Sequence, residues 1–241
     1  MEKRHLLILG APRSGTTLLA TMISRHTEIG ILNEDRGWSM QRLLGKTIVG
    51  NKRCIPNQIE IKKRNRLHFR LWKKIGLLRE HQQSEYCIED YLTLPHIQVI
   101  GLIRNGNDVI SSGMRRGQKS FRGASYRWLR AIEIIHELKT RLPDSVLVVS
   151  FEDLVMYPRE NMKRVARFLK VDYQDRMLEG PVYNPWYPES GMNEEKVNRS
   201  EKENIDFRLA ARFPAAELQY RQLLRWCETV ALKETRQVQN G

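Results

Sequence analysis

Gly10-Ala-Pro-Arg-Ser-Gly15-Thr16-Thr17 sets two glycines five apart, with an arginine between them and a hydroxyl two residues after the second. The spacing suits a loop closed around an oxyanion. Glycines let the backbone wrap the anion, and the unsatisfied N–H groups at the start of a following helix point at it. In a loop built for nucleoside triphosphates a lysine would stand where this chain has Thr16, so the cation must be Arg13. Arg104, with Ser112 eight residues later, offers a guanidinium and a hydroxyl to a second anionic group.

Both sets need strands that end at one place. Apolar runs bounded by turn signals predict buried parallel strands at Leu6–Leu9, Val99–Ile103, Val146–Phe151 and Ile29–Leu32. Helical patterns lie between them: Thr16–Arg25; Asp108–Arg115, with Asn107 or Asp108 as N-cap; and a long helix through Trp128, Ala131, Ile132, Ile135, Leu138 and Leu142. Pro158 and Pro214 fall where a first helical turn tolerates proline. The alternation predicts an α/β fold, a phosphate-loop-like parallel sheet with helices on both faces, in a single domain spanning 1–241. Within it, about 180–204 reads as a long irregular loop and about 214–233 as a C-terminal helix. Ligands of open parallel sheets sit outside the carboxyl ends of the strands, so Gly10 and Arg104 should open on one crevice.

Composition narrows the function classes. With 241 residues, 41% hydrophobic and 29% charged, the chain reads as a folded globular protein. No apolar run approaches the ~20 residues of a membrane span. Cys54, Cys87 and Cys227 form no close metal-ligand pair and are odd in number, so neither a metal site nor a disulfide framework is expected, and the protein reads as cytoplasmic. A net charge of +13 favours anionic ligands. Lys62 to Arg79 holds eight basic residues and no acid, with Leu67, Leu71, Ile75 and Leu78 at helical spacing. This segment reads as a basic amphipathic helix with a solvated face, or one that meets an anionic surface or acceptor.

Pro12-Arg-Ser-Gly-Thr-Thr17 after a strand, with Arg104-Asn105…Asp108…Ser112, resembles the two nucleotide-binding motifs of the sulfotransferases that use 3′-phosphoadenosine 5′-phosphosulfate (PAPS). Phe151-Glu-Asp-Leu154 and Phe168-Leu-Lys-Val171 resemble that family's Tyr-Glu-Asp-Leu segment and its following helix, so the likeness covers about residues 5–171. The arginine in the first motif is closer to the bacterial and tyrosylprotein branch. The resemblance implies that Arg13, Ser14, Gly15, Thr16 and Thr17 hold the 5′ side of the donor and its product adenosine 3′,5′-bisphosphate (PAP). Arg104 and Ser112 would hold the 3′-phosphate. Gly106 and Phe151 depart from the proline and tyrosine common at their positions, and the Arg-Lys-Gly loop of the cytosolic enzymes is absent; Lys196, Arg199 and Ser200 are the candidates in its place.

The tyrosylprotein-type enzymes carry a glutamate 21 residues after the motif arginine, which lands on Glu34 as catalytic base. Its bland alternative is an acid at a helix start, and His81 is the rival base. Gly50-Asn51-Lys52 followed by Pro56 resembles the family's Gly-x-Lys-x-Pro segment. Lys52 is therefore the candidate cation for charge developing during transfer, with Arg79 as its rival by spacing. The implied activity is transfer of a sulfuryl group, without a metal, to the hydroxyl or amine of a small-molecule, glycan or peptide acceptor. A phosphate-loop kinase would want a lysine before Thr17 and an acidic magnesium ligand ending a strand. A nucleic-acid-binding protein using the basic helix would leave both oxyanion motifs unexplained, and no specific nucleic acid is expected.

Overall fold

The computed structural model describes residues 3–62, 86–115, 120–179 and 213–239. Five parallel strands form one sheet in the order β2-β3-β1-β4-β5. In chain order, β1 (Arg4–Gly10), α1 (Thr16–Ser24), β2 (Ile29–Asn33) and β3 (Ile48–Cys54) come first. They are followed by α2 (Ile88–Leu92), β4 (Ile97–Ile103), α3 (Gly106–Arg115), α4 (Phe121–Arg141) and β5 (Val146–Ser150). The described chain ends with α5 (Phe151–Met156), α6 (Pro158–Leu169) and α7 (Pro214–Gln239).

β1 is apolar on both sides, and its alternation divides the core in two. Leu6 and Ile8 pack with Leu19, Met22 and Ile23 of α1 and with Met162, Val165 and Leu169 of α6. Leu7 and Leu9 pack on the opposite face with Trp128, Ala131, Ile135 and Leu138 of α4 and with Leu223 of α7. Each such leucine or isoleucine, fully withdrawn from water, contributes ~1.5–3 kcal/mol. The strand carrying the phosphate-type loop is thereby buried between helices on both faces.

Three local expectations differ from the structure. β3 was not anticipated: Ile48-Val-Gly-Asn-Lys-Arg-Cys54 is buried throughout, but its second half is polar and reads as a loop. Phe151 opens α5 rather than closing β5, because the Ser150 hydroxyl accepts the Asp153 N–H (3.3 Å) and starts a helix there. α3 begins at Gly106, capped by neither Asn107 nor Asp108: the Asn105 side-chain oxygen accepts the Asn107 N–H at 2.9 Å. The expected long loop at about 180–204 and most of the basic segment 62–79 lie outside the described residues. Lys62, its first residue, is exposed, 3.9 Å from Glu89.

Candidate active site

The order of the strands makes the crevice. β1 is flanked by β3 and β4, and all three run parallel, so their carboxyl ends open together at the Gly10–Thr17 turn. Gly10 cannot carry a side chain: a Cβ there would lie 2.6 Å from Thr16 Cγ2 and 2.8 Å from the Leu102 carbonyl oxygen. Gly15 sits in the left-handed region at φ 94°, and a Cβ on it would meet the Phe151 ring at 2.4 Å. Arg13 is also left-handed, at φ 76°. A non-glycine residue held there costs on the order of 1–3 kcal/mol and tends to occur at ligand clamps.

The loop's hydroxyls are not equivalent. Ser14 is buried and donates to the Ala11 carbonyl at 2.7 Å, so its proton stabilises the turn. Thr16 is buried with Oγ1 3.9 Å from Cys54 Sγ. Thr17 is half-buried in the first turn of α1.

Arg13 and Arg104, 91 residues apart in sequence, interlock. Arg13 Nε donates to Ser112 Oγ at 3.1 Å, and Arg104 Nη1 donates to the Arg13 carbonyl at 3.3 Å. The Arg104 guanidinium lies over the Phe151 ring, 4.2 Å from its centroid, and 3.7 Å from the Asp108 carboxylate. Its Nε is buried with no hydrogen-bond partner among the described residues, which leaves a donor for an incoming acceptor. Burial pulls the Arg104 pKa down, against Asp108 and Glu152, and burial pushes the Asp108 carboxyl up, against Arg104. Trp128 is core, as its spacing suggests, but its indole N–H also holds the Arg104 carbonyl at 3.0 Å.

On the other side of β1, register builds a second cluster. Asn33 pairs with Lys52 across β2 and β3, so Glu34 emerges beside that lysine, its N–H donating to the Lys52 carbonyl at 2.9 Å. Glu34 stands at φ 63°, and no helix starts at it, so it is not a helix-start acid. Lys52 Nζ, 1% exposed, reaches Glu34 Oε1 at 2.7 Å. Burial raises the Glu34 pKa, but Lys52, by charge and hydrogen bond, together with Gln58 and Arg53, outweighs it and holds the carboxyl below its ordinary value. Cys54 Sγ lies 3.9 Å from Glu34 and 4.0 Å from Lys52. Burial pushes this thiol's pKa up, against the pull of Lys52. Arg127, half-buried at the start of α4, lies within electrostatic reach of Cys54.

Arg13, Ser112, Arg104, Glu34 and Lys52 thus line the same edge of the sheet. Ser14 does so with its hydroxyl turned into the loop. His81, Arg79, Lys196, Arg199 and Ser200 lie outside the described residues. Residues not singled out from the sequence also belong here: Asn51 and Arg53, both buried, and Gln58, whose Oε1 accepts the Cys54 N–H at 2.7 Å. Their signal was a polar pair flanking Lys52 at a spacing of two, readable only once the segment is known to be a strand.

A profile of the sulfotransferase family matches residues 89–175. The matched segment carries Arg104, Ser112 and Phe151, whereas the Gly10–Thr17 loop, Glu34 and Lys52 precede it. A protein-tyrosine sulfotransferase of Drosophila melanogaster is 25% identical over 217 residues, 73% of this chain and 40% of that protein. Protein-tyrosine sulfotransferase 1 of Danio rerio is 24% identical over 194 residues, 72% of this chain and 55% of that protein. The chain therefore spans about half the length of these relatives. Among solved structures, the sulfotransferase domain of the Synechococcus PCC 7002 olefin synthase superposes with a TM-score of 0.56 at 20% identity, covering 95% of each chain. The sulfotransferase domain from the curacin biosynthetic pathway superposes with 0.55 at 15% identity, covering 89% of this chain and 98% of that one. These likenesses show the fold of the described residues.

Proposed function

We propose that this chain moves a sulfuryl group from PAPS to the hydroxyl or amine of an acceptor. The observation that carries the reading is the placing of two interlocked arginines, Arg13 and Arg104, beside the Glu34–Lys52 pair at one sheet edge. The residues fit a donor with two anionic ends. Gly10 and Gly15 leave space that a Cβ would fill, and Arg104 Nε is buried with a donor to give.

When bound, the donor supplies an activated sulfuryl group whose leaving group is a phosphate. Loop N–H groups with Arg13 hold the 5′ end, and Arg104 with Ser112 the 3′-phosphate; Lys196 and Arg199 are candidates to complete the nucleotide contacts. Glu34 takes the acceptor's proton as its oxygen or nitrogen bonds to sulfur and the sulfur–oxygen bond to the leaving phosphate breaks. The negative charge then accumulates on that phosphate oxygen, where Arg13 and Lys52 meet it. Lys52 also keeps Glu34 ionised and ready to accept. These cations supply the positive field, so the reading needs no metal. The relatives named protein-tyrosine sulfotransferases make a tyrosine-bearing peptide the first acceptor to try. Three free, buried cysteines fit a reducing compartment, and we place the protein in the cytoplasm as a single domain.

The test has two parts. Calorimetry with PAP, with and without a chelator, should show the same binding. Radiolabelled donor offered with peptides, phenols, alcohols, amines and glycans should label one class. Strict dependence on a divalent metal, or transfer of phosphate instead, would favour a kinase and end this reading.

A further inference from the structure

The end of β3 is polar on both faces. Lys52 and Cys54 look toward Thr16 and Glu34. Asn51 and Arg53, 0% and 1% exposed, look the other way. Burying a guanidinium costs several kcal/mol, and strand pairing does not require one. Arg53 Nη1 donates to the Asp35 carbonyl at 2.8 Å and Nη2 to the Gln58 carbonyl at 2.9 Å, joining the turns that follow β2 and β3. Asn51 grips the same turn: its Nδ2 donates to the Asp35 carbonyl at 2.7 Å and its Oδ1 accepts the Asp35 N–H at 3.2 Å. Tyr91 Oη, 2.9 Å from Nδ2, anchors the amide from α2.

The three bonds to Asp35 fall immediately after one residue, Glu34. Glu34 is held in the left-handed region, a conformation that glutamate does not favour and that its surroundings must impose. Its own N–H is fixed by Lys52, and both polar groups of the next residue are fixed by Asn51 and Arg53. The backbone is thus pinned on each side of the point from which the side chain leaves, and the carboxylate lies 2.7 Å from Lys52 Nζ. We infer that Arg53, seconded by Asn51, is a positioning residue for Glu34, clamping the Asp35 carbonyl so that the carboxylate is aimed at the acceptor. The inference rests on Glu34 being the base. Arg53 also adds its positive charge to those that keep the carboxylate ionised, so removing that charge should leave a trace in the pH profile.

The test compares Arg53→Lys, Arg53→Gln and Glu34→Gln in the full chain, measuring PAP affinity, turnover at saturating donor and acceptor, and the acid limb of kcat/KM. PAP affinity should stay within about threefold of the parent in all three, because the Gly10–Thr17 loop and Arg104 lie across β1. Misaiming a catalytic group by about 1 Å can cost ~100-fold, so both Arg53 variants should lose ~10- to 100-fold in turnover. The acid limb should stay put in Arg53→Lys, which keeps the charge, and move to higher pH in Arg53→Gln. Turnover within about twofold of the parent in Arg53→Lys overturns the inference, as does a loss in Arg53→Gln with an unmoved limb. Should Arg53→Gln fail to bind PAP, Arg53→Lys decides alone. If Glu34→Gln keeps normal turnover, the base assignment falls and the inference with it. A dead Glu34→Gln beside normal Arg53 variants refutes the inference alone.

Discussion

The two sides of β1 build their chemistry by different means. On the β4 side, the loop at Gly10–Thr17 is shaped by its backbone, with Arg13 and Gly15 left-handed, and Arg13 and Arg104 are tied together across it. On the β3 side, Glu34 and Lys52 are held by side chains: by each other, and Glu34 also by Gln58 in the turn after β3. Their 2.7 Å contact exists because β2 and β3 pair with Asn33 opposite Lys52. A backbone cradle tolerates changes to its neighbours so long as its own turn survives. A side-chain pair made by register depends on every residue that fixes the strand ends. The β4 side should therefore govern nucleotide affinity, and the β3 side turnover.

The largest break should come from Glu34→Gln, which keeps size and hydrogen bonding but removes the carboxylate proposed as base. Turnover should fall by ~10²–10⁴ while PAP affinity, measured by calorimetry, hardly changes. The effect should shrink for an acceptor already ionised at the assay pH. An equal loss of affinity would erase the division between the two sides.

Lys52→Met separates them further. Burial raises the Glu34 pKa, and Lys52 with Gln58 and Arg53 more than reverses that, so the carboxyl lies below its ordinary value. If Glu34 is the base it works only when ionised, so activity should persist to lower pH than a glutamate of ordinary pKa would allow. Without the Lys52 charge the carboxyl pKa rises and the acid limb of kcat/KM should move to higher pH, with turnover also reduced. A limb that stays in place would mean that another group sets it.

This contrast also explains what could be read in advance. The Gly10–Thr17 turn, its strand and its helix are local: glycine spacing, an apolar run and helical periodicity lie within twenty residues and were legible. So was the pairing of Gly10 with Arg104 at one crevice, because strand ends of a parallel sheet face the same way. β3 was not legible, because Asn51, Lys52, Arg53 and Cys54 look like a loop until their partners are known. Glu34 and Lys52 were singled out through the family resemblance, whereas Arg53, Gln58 and Asn51, the last at that motif's variable position, were given no role. Phe151 is a similar case: its contacts with Gly15 and Arg104 arise from the β5–α5 junction, where Ser150 caps a helix that the apolar run concealed.

On the β4 side the strongest break should be Arg104→Ala. A hydrogen bond to a charged group contributes ~1.5–3 kcal/mol, so PAP affinity should fall about 10- to 150-fold. The loss should be much smaller for adenosine 5′-phosphate, which lacks the 3′ group. Equal losses for the two nucleotides would mean that Arg104 does not read the 3′-phosphate.

Ser112→Ala should have the smallest effect, and it tests whether the two arginines form one unit. Ser112 Oγ accepts from Arg13 Nε at 3.1 Å. A hydroxyl has one proton and two lone pairs, so this contact leaves its O–H free to donate to a phosphate. Losing the hydroxyl should weaken PAP binding by ~0.5–1.5 kcal/mol, about two- to twelvefold. Were Ser112 only a rest for Arg13, PAP and adenosine 5′-phosphate would weaken alike; if it also donates to the 3′-phosphate, PAP should lose more. Because Arg104 Nη1 holds the Arg13 carbonyl, the two changes share a neighbour. The double variant Arg104→Ala/Ser112→Ala should therefore lose less than the product of the single losses, since removing either partner already loosens Arg13. Strict additivity in PAP affinity would show the two residues acting independently, with Arg13 carrying nothing between them.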